Sequence, residues 1–392
     1  MKKSLLVTLD FPPNLGGVAT YYYNICKNLP GDKIVVLAPS QKGDSSFDKK
    51  QNFPIIRKKL LGKFPQKTSP KNLLGILKMA STLKWISIIK HFKAVTNQHK
   101  IEIIQAGQIL PIGTLALWYK KMKNIPFIFY AHGLDITLPQ KFMRKKKILK
   151  KIIKEAKAII ANSHFTKDEL VKLGADSDKI KVIYPCPGIK PSEAPEWKIR
   201  EIREEYGLKN KKIILTVGRL VERKGHDMVI KSLPRIIKKI PDAAYLIVGT
   251  GPYEENLKRL ANQLALREYI IFAGKASQND LSVLFQIADL FIMPARRLIN
   301  GDVEGFGIVY LEANLFGKPV IGGKSGGVPE AIIDGKTGLL VDPLNVDQIA
   351  EAALKILTDK PYAEKLGMQG MERVLENFNW ETQAEKIKEI LS

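Results

Sequence analysis

Two carboxylates, Glu304 and Glu312, bracket the segment Glu304-Gly-Phe-Gly-Ile-Val-Tyr-Leu-Glu312. An ionised carboxylate only accepts hydrogen bonds, which suits the hydroxyls of a sugar or a ribose. Gly305-Phe306-Gly307 forms a turn whose backbone can approach a ligand closely, since two of its residues lack a Cβ. The apolar run that follows reads as a helix, with Glu304 on the entering loop and Glu312 about two turns inside. Such a helix points free N–H groups, and a partial positive charge, at whatever lies in front of it. Hydroxyl acceptors beside phosphate donors fit a nucleotide sugar, and no metal-binding spacing accompanies them.

A second constellation is Gly218-Arg219-Leu220-Val221-Glu222-Arg223-Lys224-Gly225, directly after an apolar run. Arg219 and Lys224 bring fixed positive charge to that point, as a departing diphosphate requires while negative charge grows on it. Arg can grip phosphate bidentately, whereas Lys acts as a point charge. Arg223 reads as a solvated neighbour; Arg296 and Arg297, in the loop before Glu304, could reach a phosphate or an acceptor but read first as solvated. Gly249-Thr250-Gly251-Pro252 could pass for a dinucleotide turn, but Glu254 stands where the third glycine belongs, so that fingerprint is absent. Gly274-Lys275 follows another strand-like run, and Ser325-Gly326-Gly327-Val328-Pro329-Glu330 is a further glycine loop. In the first half, Gly16-Gly17 opens either a ligand loop or a tight strand-to-helix turn. His132, in Ala131-His132-Gly133-Leu134-Asp135, stands at a strand end, where a cleft is expected; Asp135 reads as holding that loop. Ser163-His164-Phe165-Thr166 reads as a helix start. Cys26 and Cys186 form no disulfide framework.

These residues need a scaffold that gathers strand ends. Candidate strands are Leu5–Leu9, Lys33–Ala38, Ile101–Ala106, Phe127–Ala131, Ala158–Ala161 and Lys181–Tyr184. A second series is Lys212–Val217, Ala243–Val248, Tyr269–Ala273, Leu290–Met293, Pro319–Ile321 and Leu339–Val341. Short apolar runs spaced by helices imply parallel strands buried on both faces. With 392 residues and the pattern occurring twice, the expectation is an α/β chain of two doubly wound, Rossmann-like domains facing a cleft. The linker is expected near Tyr184-Pro185-Cys186-Pro187-Gly188-Ile189-Lys190-Pro191. That gives residues 1–190 as one domain and 191–376 as the other, with a last helical stretch in 377–392. No apolar run reaches membrane-span length, and the N-terminal run is cut short by Asp10 and Pro12-Pro13, as a first strand would be.

The net charge of +24 is uneven. Residues 1–190 hold 35 basic and 11 acidic side chains, and the remainder is balanced at 28 each. An anionic membrane surface or a nucleic acid could use that excess, or it is simply a lysine-rich surface. Two basic amphipathic stretches stand out. One is Lys71–Val95; the other is Lys141–Lys157, where Phe142, Leu149, Ile152, Ile153 and Ala156 read as an inward face.

The Glu304/Glu312 segment resembles the Glu-x7-Glu motif of retaining glycosyltransferases of the GT-B fold, in the large GT4-like group. Arg219 and Lys224 match that family's Arg and Lys, and similar landmarks run from Gly16 to Glu330. The resemblance implies that Glu312 binds ribose hydroxyls and Glu304 those of the transferred sugar. It implies that the amides of Gly305, Phe306 and Gly307 meet the diphosphate, and that His132 lies close to the sugar. Gly16, Gly17, Gly249, Gly274 and Lys275 join the donor site on the same ground, and the terminal helix crosses back to the first domain. The implied activity is hexosyl transfer, with mannose slightly favoured, from a GDP- or UDP-sugar to a lipid-linked or glycan acceptor. No cofactor, no metal and no nucleic acid are expected; the place is the cytoplasm, at the inner face of the membrane. Competing readings are a basic nucleic-acid-binding protein and an inactive sugar-nucleotide-binding homologue.

Overall fold

The computed structural model describes residues 1–13, 16–59 and 88–392. Two compact units emerge: Met1–Asn162 with Thr166–Tyr184 and Trp380–Ser392, and Pro185–Asn379 with Ser163–Phe165.

Among the described residues the first unit is built on seven strands: β1 Ser4–Val7, β2 Ile34–Pro39, β3 Ile55–Lys58, β4 Ile103–Ala106, β5 Phe127–Ala131, β6 Ala158–Ala161 and β7 Ile180–Val182. All pair in parallel, in the order β3-β2-β1-β4-β5-β6-β7. Every residue of β1, β2, β4 and β5 is buried, which is why each reads as an unbroken apolar run. Chain order reverses at β1, which lies between β2 and β4; such a switch point opens a crevice beyond the strands' carboxyl ends. The last helix, Trp380–Ile390, packs on this unit. Its Trp380 ring meets Tyr21 edge-on at 5.6 Å, Ile387 and Leu391 are buried, and Lys2 N–H donates to the Leu391 carbonyl at 2.8 Å.

The second unit carries β8 Lys212–Val217, β9 Ala243–Val248, β10 Ile270–Gly274, β11 Leu290–Met293, β12 Val320–Gly323 and β13 Leu339–Val341. They are parallel in the order β10-β9-β8-β11-β12-β13, so the switch point falls between β8 and β11. Helix His226–Lys239 buries Val229, Ile230, Leu233 and Ile236 against this sheet's core. Each fully buried Ile or Leu contributes about 1.5–3 kcal/mol of transfer free energy.

Two expectations are corrected here, and a third lies largely outside the described residues. The edge strand β3 was not expected, because Ile55-Ile56 is followed at once by Arg57-Lys58 and no residue of it is fully buried. Helix Met143–Glu155 turns Leu149, Ile152 and Ile153 inward, but Phe142 is 52% exposed. It stands ahead of the helix on extended backbone, so the helical period does not carry it to the core. Of the basic stretch Lys71–Val95, residues 71–87 lie outside the described residues, as do Asn14 and Leu15.

Candidate active site

The second unit's switch point gathers the charged side chains. A single 3-10 turn, Glu222–Lys224, follows β8 and ends at Gly225, whose φ of 77° is left-handed. A Cβ at Gly225 would stand 2.2 Å from the Pro294 carbonyl, so only glycine lets this turn lie against the end of β11. The turn carries Lys224 inward, where it is 9% exposed. Its Nζ lies 2.7 Å from Glu304 Oε2. Arg223 Nε lies 3.7 Å from the same oxygen and 3.5 Å from Asp302 Oδ1. Arg223 is therefore one wall of the site and not a solvated neighbour.

Burial pushes the Glu304 carboxyl up, but Lys224 and then Arg223 outweigh it. Glu304 ends below the ordinary glutamate value and is ionised at neutral pH. Glu312 behaves differently. Burial pushes it to about 7, opposed by the Gly188 N–H and the charge of Lys224; that N–H donates to Oε1 at 3.5 Å. His226 is driven to about 3, first by burial and then by Lys224, so it adds no positive charge.

Helix Ile308–Leu315 begins at Gly307, with φ 94°. Glu312 is thus its fifth residue, somewhat over one turn inside. The N–H groups of Gly305 and Gly307 donate to no acceptor among the described residues, as an anion-binding helix start requires. Phe306 is buried and its ring meets Phe378 at 6.0 Å. The glycines of the Ser325-Gly326-Gly327 loop serve protein packing: a Cβ at Gly327 would stand 2.0 Å from the Gly305 carbonyl.

Gly249 is of the same kind. A Cβ there would stand 2.0 Å from the Gly218 carbonyl, so this glycine lets two turns touch. Gly274 ends β10 with open space around it, and Lys275 beside it is exposed. Arg219 leaves the end of β8 exposed, with no ion pair among the described residues.

Arg296 was expected in solvent; it is 7% exposed. Its two terminal nitrogens meet Asp227 at 2.9 and 3.0 Å, and Nη2 reaches Glu222 at 3.4 Å. Asp227, Glu222 and Asp302 were not singled out from sequence, since each pair joins positions that only the topology brings together.

In the first unit, His132 follows β5, and Gly16 and Gly17 are exposed at the start of helix Gly17–Lys27. His132 N–H donates to Asp135 Oδ1 at 2.8 Å, and Asn162 Nδ2 donates to the His132 carbonyl at 3.3 Å. Asp135 does hold the loop. Burial lifts its carboxyl to about 6 against several backbone N–H donors, and it lowers His132 to about 4, a neutral imidazole. Among the described residues no three His, Cys, Asp or Glu gather as a metal site, and no helix is long and apolar enough to cross a membrane.

Two doubly wound parallel sheets, one with lysine and glutamate paired at its switch point, define a two-domain α/β protein with a cation, a carboxylate and free backbone amides gathered at one strand end. Residues 198–373 match the family Glycosyl transferases group 1, and residues 15–186 match Glycosyltransferase Family 4. The chain is 32% identical to a GDP-mannose-dependent alpha-(1-6)-phosphatidylinositol monomannoside mannosyltransferase of Mycolicibacterium smegmatis, over 99% of this chain and 98% of the relative. It is 30% identical to the monoacylated-substrate counterpart of Corynebacterium glutamicum, over 100% and 98%. Anabaena HepE, solved with UDP and glucose, has the same fold with a TM-score of 0.79 at 20% identity, covering 100% of this chain and 99% of that one. The chain belongs to the group 1, family 4 glycosyltransferases, and it is an enzyme of the two-domain GT-B fold.

Proposed function

We propose that this glycosyltransferase moves a hexosyl group, mannose before others, from a nucleoside diphosphate sugar to a lipid-linked or glycan acceptor of the cell envelope. It does so with retention and without a divalent metal. The observation that carries the donor assignment is the 2.7 Å pairing of Lys224 with Glu304 below the free amides of Gly305 and Gly307. A cation, a hydroxyl acceptor and anion-binding amides are thereby concentrated at one strand end. The relatives' GDP-mannose dependence and α-linked product support the sugar and the retention, since GDP-mannose is itself an α-glycoside.

The acceptor hydroxyl oxygen attacks the anomeric carbon as the bond from that carbon to the β-phosphate oxygen breaks. The electron pair of that bond leaves with the phosphate, and the acceptor's proton passes to a phosphate oxygen. Lys224 and Arg219 stabilise the charge that grows there. Glu304 accepts from the sugar's hydroxyls, and Glu312 from the ribose. GDP-mannose and a panel of UDP-sugars, each with and without EDTA, test this. Slow hydrolysis of GDP-mannose to α-mannose, unchanged by chelator, is expected. Loss of activity with EDTA, or indifference to every donor, overturns it.

Glu312 makes donor binding proton-linked. Its carboxylate form accepts ribose hydroxyls, and its pKa near 7 places the change within the working range. As pH falls through about 7 the donor KM rises, by tenfold per unit at most for one proton. In Glu312→Gln that slope disappears. A flat wild-type profile from pH 6 to 8 contradicts the role.

The enzyme works at the cytoplasmic face of an anionic membrane. Helix Met143–Glu155 carries Arg144, Lys145, Lys146, Lys147, Lys150, Lys151 and Lys154, and Phe142, Met143 and Ile148 are exposed at its start. Apolar side chains among lysines suit an anionic lipid surface. Sedimentation with phosphatidylglycerol vesicles should remove the protein from solution at low salt and release it at high salt. No binding at low salt removes the idea.

A further inference from the structure

The first unit holds a hydrogen-bond chain that decides which face of His132 a substrate meets. Tyr22, on helix Gly17–Lys27, is fully buried. Its phenol oxygen touches two groups: the carbonyl of Gly107, just past β4, and His132 Nε2 at 2.6 Å. A phenol has one proton. The Gly107 carbonyl can only accept, so the Tyr22 proton is committed to it; otherwise two oxygen lone pairs would face each other. His132 Nε2 must then carry the proton and donate to Tyr22.

From this we infer that Tyr22 is a positioning residue that fixes His132 as the neutral Nε2–H tautomer, leaving Nδ1 as a bare acceptor. Nδ1 makes no hydrogen bond among the described residues. The surroundings hold the ring still. Tyr21 and Tyr22 meet it edge-on, with centroids 5.4 and 5.5 Å away, while Asp135 and Asn162 clamp its backbone. Of the nearby ionisable groups, Tyr21, Tyr22 and Tyr130 are uncharged phenols, and the Asp135 carboxylate takes the His132 backbone N–H and not its ring; burial therefore leaves the imidazole neutral at pH 7. His132 therefore accepts a hydrogen bond from a hydroxyl and does not act as a proton donor or an electrostatic partner for phosphate. That the hydroxyl belongs to the sugar rests on the proposed function; the tautomer does not.

The full-length protein, labelled with ¹⁵N-histidine and free of substrates, tests the tautomer by long-range ¹H–¹⁵N correlation. His132→Gln identifies the signals by their loss. At pH 7 a pyrrole-type Nε2 and a pyridine-type Nδ1 are expected. A pyrrole-type Nδ1, or an imidazolium, overturns the inference. In Tyr22→Phe the lock is gone: the two ¹⁵N signals should move toward each other as the tautomers mix. Turnover should fall about tenfold, with donor KM nearly unchanged. Unmoved signals together with wild-type turnover in that variant also overturn it. If no donor is turned over at all, the proposed function fails while the spectrum of the wild type still decides the tautomer.

Discussion

Lys224→Ala loses about 10²–10³-fold in kcat while the protein stays folded. Among the described residues the amine is the one cation at this strand end that is both buried and paired with the motif glutamate. Its charge reaches Glu304, Glu312 and His226 alike, so it stands at the electrostatic centre of the site. In the ligand-free protein Glu304 neutralises it. A diphosphate must compete with that carboxylate, and the competition separates binding from turnover. Glu304→Gln should bind nucleoside diphosphate more tightly, because Lys224 is released, yet turn over slowly, because the sugar's hydroxyls lose a charged acceptor. Arg219→Ala should lose turnover with no loss of stability, since its exposed side chain makes no ion pair among the described residues. Steady-state rates at saturating donor, with melting curves of each variant, check all three. Wild-type kcat in folded Lys224→Ala would end the assignment.

Most of the scaffold was legible because its strands are buried on both faces and read as apolar runs. β3 escaped because it is an edge: half-buried, two isoleucines long, and closed by Arg57, which pairs with Asp48 at 2.7 Å. Lys224 and Glu304 were each singled out, one as a cation at a strand end and the other as a carboxylate on a loop entering a helix, but their pairing with each other was not expected. Arg223 and Arg296 were misread for one reason. Whether an arginine is solvated depends on acids brought to it by the topology, and Asp302 and Asp227 have no local spacing that announces them. Tyr22 carried no signal either: an aromatic on a helix face reads as core, and it is core, with its hydroxyl engaged as well as its ring. The glycines divide more finely. Gly305 and Gly307 keep free amides, whereas Gly249 is explained by the neighbouring turn that it touches.

Asp227→Ala destabilises the second unit by about 3–5 kcal/mol, the cost of stripping one partner from a buried pair. Both side chains are about nine-tenths covered, and the contact is bidentate, at 2.9 and 3.0 Å. Without Asp227 the acidic partner left to the guanidinium among the described residues is Glu222 at 3.4 Å, itself half exposed. Ejecting Arg296 into water would relieve the charge but tear the loop after β11 from the start of helix His226–Lys239. That loop also hangs on Arg296 N–H, which donates to the Arg223 carbonyl at 2.8 Å. The turn bearing Lys224 lies between these two attachments, so lost stability and lost activity should appear together. Replacing both partners, as in Arg296→Met with Asp227→Leu, should recover much of the stability, because no unpaired charge is left buried. It should recover little activity, because the aim of the turn is not rebuilt. Urea titration separates the cases: a drop in midpoint for the single variant that the double variant does not share is expected. Equal midpoints in wild type and Asp227→Ala would show that the pair holds nothing in place.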